Sequence, residues 1–327
     1  MVLSCYIHNP YGVDMHEQIE PISGKCSVIL MPIGPNSSIN NIKDTINSIA
    51  AFSTQGSVLV LVDETRSGLK KTQLSDSMAI SICRAEPATG YSVRGRLYTN
   101  LSKAITTIIE NYDFDVLLRM DDDALMIGEG AQSDAARAFS LDPSIGALGS
   151  FRHTCLGHRR DFRPAARRLA FESSWLGMMK SPRLARRLRQ IRKIAQANGY
   201  EPGEHSLGAA CFYSHAALVA MLEGGLLGCK DLSTTSLCDD QLFGLLVVAA
   251  GFRSSDFAGD GYPLGLTWQG LPASPSRLVQ MNKKIVHSVK SHNGRDEANL
   301  RADFARMRQT SMLVANAHVS PAHQSNR

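Results

Sequence analysis

Three adjacent carboxylates, Asp121, Asp122 and Asp123, end a short apolar run within residues 115–128. Their charges repel one another, and burying an uncompensated one would be very unfavourable. Because side chains alternate along an extended segment, we expect Asp121 and Asp123 to point the same way and Asp122 the other. Hard divalent cations prefer such oxygen ligands. The triplet therefore predicts a metal site, with an acidic turn that only solvates its charges as the alternative.

A second acidic pair, Asp239 and Asp240, stands where a helix is predicted to begin. Asp is favoured at this position because it caps free N–H groups and opposes the helix dipole. One acid can cap the helix while the other projects into a cleft, where it would serve as a general base. The residues alone leave both interpretations open.

Three further side chains could take part in the same chemistry. His287 lies in the apolar run 284–289, where a lone His is usually structural but becomes a candidate ligand if an acidic metal site needs another donor. Lys290 follows just beyond it, in a position suited to a phosphate. Asp63 and Glu64 end the second predicted strand, where a carboxylate accepts hydrogen bonds from a base or ribose hydroxyl, or else serves the turn.

The order of apolar runs and amphipathic segments predicts an α/β fold. Strands at 26–31, 57–62, 78–82 and 116–120 enclose helices at 38–52 and 94–111. This β-α-β-β-α-β order indicates a doubly wound, mostly parallel central sheet flanked by helices. Ligands bind such sheets beyond the carboxyl ends of strands, where the Asp triplet lies. The later predicted elements are helices at 133–139, 182–198, 214–223 and 239–250, strands at 145–151, 208–213 and 284–289, and a Gly- and Pro-rich loop at 259–276.

Composition narrows the class of protein. The 327 residues include seven scattered cysteines without a Cys-x-x-Cys pair, which disfavours a zinc or disulfide framework and favours a reducing compartment. The first 20 residues lack a signal-peptide pattern, and no run reaches the ~18 apolar residues of a membrane span. We therefore expect a cytoplasmic protein without a transmembrane segment.

Positive charge is concentrated in one block. Residues 151–200 hold thirteen Lys and Arg against two acids, whereas the rest of the chain has a net charge of −6. One interpretation is a solvated helix face whose Arg side chains pair with acids elsewhere. A second is a surface for an acidic or phosphorylated acceptor, or for peripheral contact with lipid phosphates. Nucleic acid is a weaker third interpretation, because no aromatic set is interleaved with the charges.

The motifs together resemble those of GT-A glycosyltransferases, most closely the family 2 enzymes that use nucleotide-diphosphate sugars. The similarity covers roughly residues 25–292 and rests on the order of several weak motifs. The matching segments are 31–36, 61–64, 94–100, 120–123, 207–214 and 239–242, followed by His287.

This resemblance implies a metal-dependent, inverting glycosyltransferase that moves a sugar from a nucleotide-diphosphate donor to an acceptor hydroxyl. The D-x-D motif residues Asp121 and Asp123, with His287, would hold Mn²⁺ or Mg²⁺. Asp240 would act as the base, with Asp239 beside it. The donor would be bound by Pro32, Asp63, Glu64, Arg94, Asn100, Asp121, Asp122, Trp268 and Lys290. Trp268 stacks on a sugar face in this interpretation, or else anchors its loop in the core.

Two departures leave parts of the function open. The family often has Glu-Asp where this chain has Asp239-Asp240, so either acid could be the base. The family's Gln-x-x-Arg-Trp motif is absent, so the acceptor is unknown, with an acidic or phosphorylated molecule as one option. Two alternatives are a sugar-phosphate nucleotidyltransferase, which would want a Gly-rich basic first loop that residues 32–38 lack, and a non-catalytic GT-A-like module that binds a partner through its Arg-rich helix.

The predicted organisation has five parts. Residues 1–24 form an irregular lead-in, 25–150 a nucleotide-sugar-binding half, and 151–205 a basic helical insertion. Residues 206–300 form an acceptor-binding and catalytic half, and 301–327 a C-terminal helix and mobile tail that loses its pattern beyond about Leu313.

Overall fold

The computed structural model describes residues 25–74, 76–85 and 91–319, with side chains described as far as residue 310. The predicted lead-in at 1–24 and the end of the tail at 320–327 lie outside these residues. The strands are β1 (Cys26–Ile33), β2 (Val58–Asp63), β3 (Ala79–Arg84), β4 (Phe114–Met120), β5 (Leu125–Met126), β6 (Ile145–Gly149), β7 (Ala210–Ser214), β8 (Arg253–Asp256), β9 (Leu264–Leu266), β10 (Ile285–His287), β11 (Ser291–His292) and β12 (Arg295–Asp296). The helices are α1 (Ile39–Phe52), α2 (Val93–Asn111), α3 (Ala131–Leu141), α4 (Arg163–Glu172), α5 (Trp175–Lys180), α6 (Pro182–Ala197), α7 (His215–Glu223), α8 (Asp239–Ala249), α9 (Pro275–Gln280) and α10 (Glu297–Val319).

Seven strands form a central sheet in the order β3-β2-β1-β4-β7-β6-β8. Neighbouring strands are parallel except that β7 runs antiparallel to both β4 and β6. The chain first builds outward from β1 to β3 and then places β4 on the other side of β1. This reversal leaves a crevice at the carboxyl ends of β1 and β4. The predicted α/β class, with a doubly wound and mostly parallel sheet flanked by helices, is confirmed.

Apolar side chains leave the sheet alternately toward two layers. In β1, Val28 and Leu30 pack into the layer that contains α2, α6 and α8, whereas Ile29 and Met31 pack into the layer of α1 and α3. This alternation is the period of an extended strand with both faces covered. It fixes the register of the sheet, and hence which side chains stand at its carboxyl edge.

A three-stranded sheet in the order β5-β10-β9 lies beside the main one. It changes the interpretation of residues 259–276, because Leu264–Leu266 is strand β9 and α9 begins at Pro275. The prediction of one continuous loop is therefore wrong. The Nζ atom of Lys283 donates to the carbonyl oxygens of Ala258, Gly259 and Tyr262 at 2.7–2.9 Å, which fixes the start of this segment.

The basic block is helical, as predicted for 182–198, and contains two helices that the sequence pattern did not predict. Helix α4 has ten residues, three of them Arg, and α5 has only six residues. At the other end of the chain, α10 continues to Val319, past the expected loss of pattern at Leu313. None of the helices in the described part of the chain has the length and apolarity of a membrane span.

Candidate active site

The acidic triplet forms a tight turn immediately after β4. The Asp121 amide donates to the Ala209 carbonyl at 2.9 Å, and the Ala124 amide donates to the Asp121 carbonyl at 3.1 Å. The side chains of Asp121 and Asp123 converge on one point, as expected. Because residues 122 and 123 are in a turn, the convergence comes from chain reversal and not from the alternation of an extended strand.

Strand β10 brings His287 to the same point. It pairs antiparallel with β5, with Val286 opposite Leu125, so the end of β10 meets the acidic turn. The His287 Nε2 atom lies 3.1 Å from Asp123 Oδ1 and 3.9 Å from Asp121 Oδ2. Its Nδ1 atom lies 2.7 Å from the Thr267 carbonyl, which can only accept, so Nδ1 carries a proton. This bond orients Nε2 toward the carboxylates, an arrangement common for metal-binding His residues.

The three side chains have the donor atoms and spacing of a cation site. One ligand atom from each of Asp121, Asp123 and His287 lies within 4.8 Å of the others. Two carboxylate oxygens and one imidazole nitrogen suit a divalent ion such as Mn²⁺ or Mg²⁺. Asp123 also interacts with Lys290, whose Nζ atom lies 2.8 Å from Oδ2, and accepts a 3.1 Å hydrogen bond from Ser288 Oγ.

The pKa values of the two converging carboxylates are shifted in opposite directions. Burial raises the pKa of Asp121 to about 6, against the opposing charges of Arg119 and His287. Burial opposes ionisation of Asp123 as well, but hydrogen bonds and charges from His287 and Lys290 hold the pKa of Asp123 well below its usual range. The same contact with Asp123 outweighs burial at His287 and raises its pKa. Without a metal, His287 therefore tends to be protonated, and a cation must compete with that proton.

Asp122 points away from the converging pair, as expected. Its side chain accepts a hydrogen bond from Ser37, in the loop after β1. Its carbonyl accepts from Thr45 Oγ1 at 2.8 Å and from Arg301 Nη2 at 3.1 Å. Burial raises the pKa of Asp122. The residue thus joins the turn after β4 to the loop after β1, across the crevice where the sheet order reverses.

Arg119 connects the two acidic segments, and sequence reasoning missed it. The side chain is buried, with Nη1 2.8 Å from Asp121 Oδ1 and Nη2 2.8 Å from Asp239 Oδ2. Burial favours the neutral guanidine, but the charges of Asp121 and Asp239 outweigh it and raise the pKa of Arg119. A basic residue inside the apolar run of β4 was the available signal, because a buried Arg needs carboxylate partners.

The two acids at the start of α8 have different surroundings. Asp239 is paired with Arg119, and burial raises the pKa of Asp239. Asp240 accepts from the Gln241 amide at 2.7 Å through Oδ1 and from the Gly208 amide at 3.2 Å through Oδ2. Both line a small recess with Arg119 and Gly208. Asp240 is the acid without a cationic partner in hydrogen-bonding geometry, so its carboxylate is the better placed to accept a proton.

A buried His–Arg pair stands behind Asp240, and no sequence motif pointed to it. The His205 Nδ1 atom lies 2.7 Å from the Gly203 carbonyl, and its Nε2 atom lies 3.1 Å from Arg160 Nη2. Nδ1 therefore donates and Nε2 accepts, which makes the ring neutral. Burial also lowers the pKa of His205. Although His205 Nε2 lies 3.8 Å from Asp240 Oδ2, the neutral ring forms no ion pair with that carboxylate.

The residues that were predicted to bind the nucleotide-sugar donor fall into two groups. Glu64 accepts from Asn100 Nδ2 at 2.9 Å and from Arg96 Nη2 at 3.0 Å, so the end of β2 is joined to α2. Arg94 instead donates to the Ser236 carbonyl at 2.6 Å, which connects α2 to the segment just before Asp239. The chain thus brings Glu64 and Asn100 together and places Arg94 nearer the second acidic pair.

The Asp63 carboxylate is fully hydrogen-bonded to groups of the protein itself. Its fully buried carboxylate accepts from the Thr65 amide and hydroxyl at 2.8 and 2.6 Å, and from the Leu69 amide and Arg84 Nη1 at 2.7 Å each. No exposed acceptor is left for a nucleoside. The geometry therefore favours the turn interpretation for Asp63.

Pro32 and Trp268 differ in exposure. Pro32 is buried in β1, in register with Val62, and is the second-to-last residue of the strand before the crevice. Trp268 follows β9 and is 78% exposed, so the alternative that it anchors its loop in the core is wrong. The neighbouring Thr267 amide donates to the His287 carbonyl at 2.8 Å. Trp268 therefore stands on a segment that is braced against the candidate metal site.

Comparisons with known proteins find similarity among solved structures. No protein-family profile and no curated protein matches the chain. Among solved structures, the galactosyltransferase LgtC in complex with donor and acceptor sugar analogues is 12% identical, with a TM-score of 0.45 over 86% of this chain and 95% of that one. An active-site mutant of LgtC is also 12% identical, with a TM-score of 0.44 over the same shares. Similarity at this level does not single out the family 2 class and carries no argument about function, which must rest on the side chains.

Proposed function

We propose that this protein is a metal-dependent glycosyltransferase that moves a sugar from a nucleotide-diphosphate donor to an acceptor hydroxyl. One observation carries the proposal: Asp121, Asp123 and His287 converge at the sheet's switch point, and Arg119 joins them to the acidic start of α8. A cation site and a separate free carboxylate in one crevice are the two elements that such a transfer needs.

The cation would be held by Asp121, Asp123 and His287, and Mn²⁺ or Mg²⁺ suits their donor atoms. When bound, it supplies electrostatic stabilisation for the negative charge that develops on the leaving diphosphate. The Lys290 side chain is 67% exposed, and its ammonium group lies 2.8 Å from Asp123 Oδ2, where it would meet the phosphates. Asp122 and Ser37 line the opposite side of the crevice.

Asp240 would accept the proton of the acceptor hydroxyl while the hydroxyl oxygen bonds to the anomeric carbon. The bond from that carbon to the diphosphate breaks on the opposite face, which gives inversion. The Gly208 and Gln241 amides fix the direction of the Asp240 carboxylate. Asp239 would act indirectly, since its carboxylate neutralises Arg119 and thereby positions Asp121.

We assign donor binding and acceptor binding to different halves of the chain. Residues 25–150 would bind the donor, with Glu64 and Asn100 on the nucleoside side and Pro32 bordering the crevice. Trp268, from the other half of the chain, would border the crevice as well. Residues 206–300 would bind the acceptor and hold Asp240. Residues 151–205 form the insertion. The β4–β7 pair joins the two halves into one sheet, so the donor and acceptor sides are fixed relative to each other.

A donor panel tests the proposal. Purified protein would be mixed with Mn²⁺ and individual nucleotide-diphosphate sugars, and released nucleoside diphosphate would be measured with and without candidate acceptors. We expect release with one donor class, dependence on the cation, and loss in Asp123→Asn. Asp115→Asn, at the far exposed end of β4, is the matched control.

The products also distinguish the alternatives. Release of pyrophosphate in place of nucleoside diphosphate would identify a nucleotidyltransferase. Absence of both turnover and cation-dependent donor binding, in protein shown to be folded, would reject a transferase of either kind. The configuration of the new glycosidic bond, read by NMR, decides between inversion and retention.

A further inference from the structure

The basic insertion carries an exposed apolar tip. Helix α5 directs Trp175, Leu176 and Met179 outward, and Trp175 and Met179 are 67% and 68% exposed. Phe171, at the end of α4, is exposed beside them. The orientation of α5 is fixed, because Gly177 packs on the other side, where a Cβ atom would lie 2.2 Å from the Glu172 carbonyl oxygen. These four apolar side chains are therefore held in the solvent by the fold.

Basic side chains surround this tip. Arg167 lies in α4, Lys180 ends α5, and Arg183 and Arg186 lie in the first turns of α6, all exposed. Helices α4 and α6 both pack against α5, so the charges lie on the helices that adjoin the apolar residues. We call these eight residues the insertion surface: Arg167, Phe171, Trp175, Leu176, Met179, Lys180, Arg183 and Arg186.

Nearby acids form no direct ion pair with these charges. Within the part of the chain that the structure describes, no carboxylate lies at ion-pair distance from Arg167, Lys180, Arg183 or Arg186. The pairs that do occur in the insertion include Arg163–Asp161, and Arg187 and Arg189 donate to backbone carbonyls. The alternative that the whole block pairs with acids elsewhere therefore does not hold for the insertion surface.

We propose that the insertion surface docks the protein onto an anionic lipid bilayer. An aromatic and aliphatic tip ringed by Lys and Arg matches the interface of such a bilayer, where apolar groups enter the acyl boundary and cations meet lipid phosphates. A nucleic acid would meet the same charges but gives no reason for exposed Leu176 and Met179. A second copy of the chain would bury the apolar tip but would bring two basic rings together.

The docking face adjoins the second acidic pair. Buried Glu172, between the tip residues, accepts from Thr235 Oγ1 and from the Ser236 amide at 2.6 Å each. Ser236 lies three residues before Asp239. The insertion surface therefore rests on the segment that leads to Asp239 and Asp240, so bilayer docking would occur beside the proposed acceptor side. Docking itself does not depend on the proposed function.

Vesicle binding tests the proposal without donor, metal or turnover. Full-length protein would be co-sedimented with phosphatidylcholine vesicles that contain 20–30% phosphatidylglycerol, and with pure phosphatidylcholine vesicles, at low and high salt. We expect binding to the anionic vesicles that weakens as salt screens the charges. No binding of folded protein to anionic vesicles at low salt would overturn the proposal.

Two sets of variants separate the apolar and the charged contribution. Trp175→Ala/Leu176→Ala/Met179→Ala removes the tip, and Lys180→Glu/Arg183→Glu/Arg186→Glu reverses the ring. We expect each to weaken vesicle partitioning roughly ten-fold or more, since each basic residue near an anionic surface contributes several-fold. Leu141→Ala and Arg137→Glu, exposed residues of α3, are the matched controls and should bind like wild type. Equal binding by all variants would contradict a role of this surface.

Tryptophan fluorescence gives a local readout, because the chain has only two Trp residues. In Trp268→Phe, emission comes from Trp175 alone and should shift to the blue when anionic vesicles are added. In Trp175→Phe, emission from Trp268 should not shift.

Two other partners of the insertion surface, a second copy of the chain and a nucleic acid, would give different results in these experiments. Vesicle-free self-association that the triple Ala variant abolishes would show instead that the tip joins copies of the chain. Binding to single-stranded RNA without binding to vesicles would show a nucleic-acid surface. Either result would overturn bilayer docking.

Discussion

Arg119 makes the candidate site a single electrostatic unit. Its buried guanidinium lies between Asp121 on the metal side and Asp239 on the helix side, so a change to either acid leaves a buried charge without its partner. Variants of the acids that contact Arg119 will therefore mix effects on folding and on chemistry. Asp123 and Asp240, which do not pair with Arg119, give clearer tests.

Asp123→Asn should abolish the response to a divalent cation. The variant keeps the volume of the side chain but removes the charge that contacts His287 and Lys290. We expect turnover to fall roughly 100-fold or more, and the thermal stabilisation by Mn²⁺ to disappear. Differential scanning fluorimetry with a Mn²⁺ titration measures the second effect. A Mn²⁺-induced shift equal to that of Asp115→Asn would contradict the assignment.

Asp240→Asn should lower the rate of catalysis, whereas Asp239→Asn should lower stability and metal binding. Loss of the base lowers kcat roughly 100-fold in Asp240→Asn, with little change in donor affinity. Asp239→Asn leaves Arg119 without its second carboxylate, so we expect lower stability and weaker metal binding instead. Calorimetric donor binding and urea denaturation separate the two patterns. The reverse pattern would make Asp239 the base, as the family's Glu-Asp variation leaves open.

Stabilisation by the metal should increase with pH. The pKa of Asp121 is raised to about 6, and the pKa of His287 is raised above its ordinary value, so both ligands are largely protonated at pH 5. A cation must displace these protons, and its affinity therefore rises as pH passes each pKa. We expect the Mn²⁺-induced shift in Tm to be small at pH 5 and to grow through pH 8. A shift that is constant across this range would contradict protonation of the ligands.

At the scale of elements, close approach of the segment before β7 to the start of α8 places the Asp240 carboxylate. A Cβ atom on Gly208 would lie 3.0 Å from Asp240 Cβ and 3.4 Å from its Oδ2. Gly208→Ala should therefore shift the carboxylate by a few tenths of an ångström and lower kcat roughly ten-fold, because catalysis is sensitive to small misplacement. Gly259→Ala, where the nearest atom is 3.9 Å away, is the control for steady-state kinetics. Equal kcat values in both variants would show that this approach does not position the base.

Long elements with a clear period were the most predictable. Runs long enough to show a period, such as those of β1, β4, α1 and α6, could be placed from the sequence within a few residues. Strands β5 and β9 have two and three residues, which is too short for alternation to be distinguished from a turn. Their pairing with β10 nevertheless brings His287 to Asp123. The sequence could therefore suggest His287 as a ligand only through the need of an acidic site for another donor and through motif order.

Non-local contacts set the limit at the site itself. Asp121, Asp123 and Asp240 stood out because acids at the ends of predicted elements are visible locally. Arg119 was visible only as a charge in a buried strand, and one of its two partners, Asp239, is 120 residues away along the chain. The neutral state of His205 depends on Gly203 and Arg160, which lie 2 and 45 residues away. Such arrangements depend on tertiary packing, which the local sequence does not encode.

At the scale of the whole molecule, the C-terminal helix fixes the acidic turn. Arg301 of α10 is buried and contacts Asp44 Oδ2 at 3.0 Å, Glu297 Oε1 at 2.9 Å and the Asp122 carbonyl at 3.1 Å. One side chain thus joins the last described helix to α1 and to the turn after β4. The turn that carries Asp121 and Asp123 is therefore braced by the last described helix.

Arg301→Met should weaken both the fold and the metal site. Removing one partner of a buried ion pair costs about 3 kcal/mol in free energy of unfolding. The Asp122 carbonyl would keep only its hydrogen bond from Thr45, so the turn that holds Asp121 and Asp123 should loosen. We expect a lower urea midpoint and a smaller Mn²⁺-induced shift in Tm. Arg306→Met, on the exposed face of the same helix, should change neither quantity appreciably. If Arg301→Met lowered stability but left the Mn²⁺ affinity of the folded protein unchanged, α10 would support the fold without organising the site.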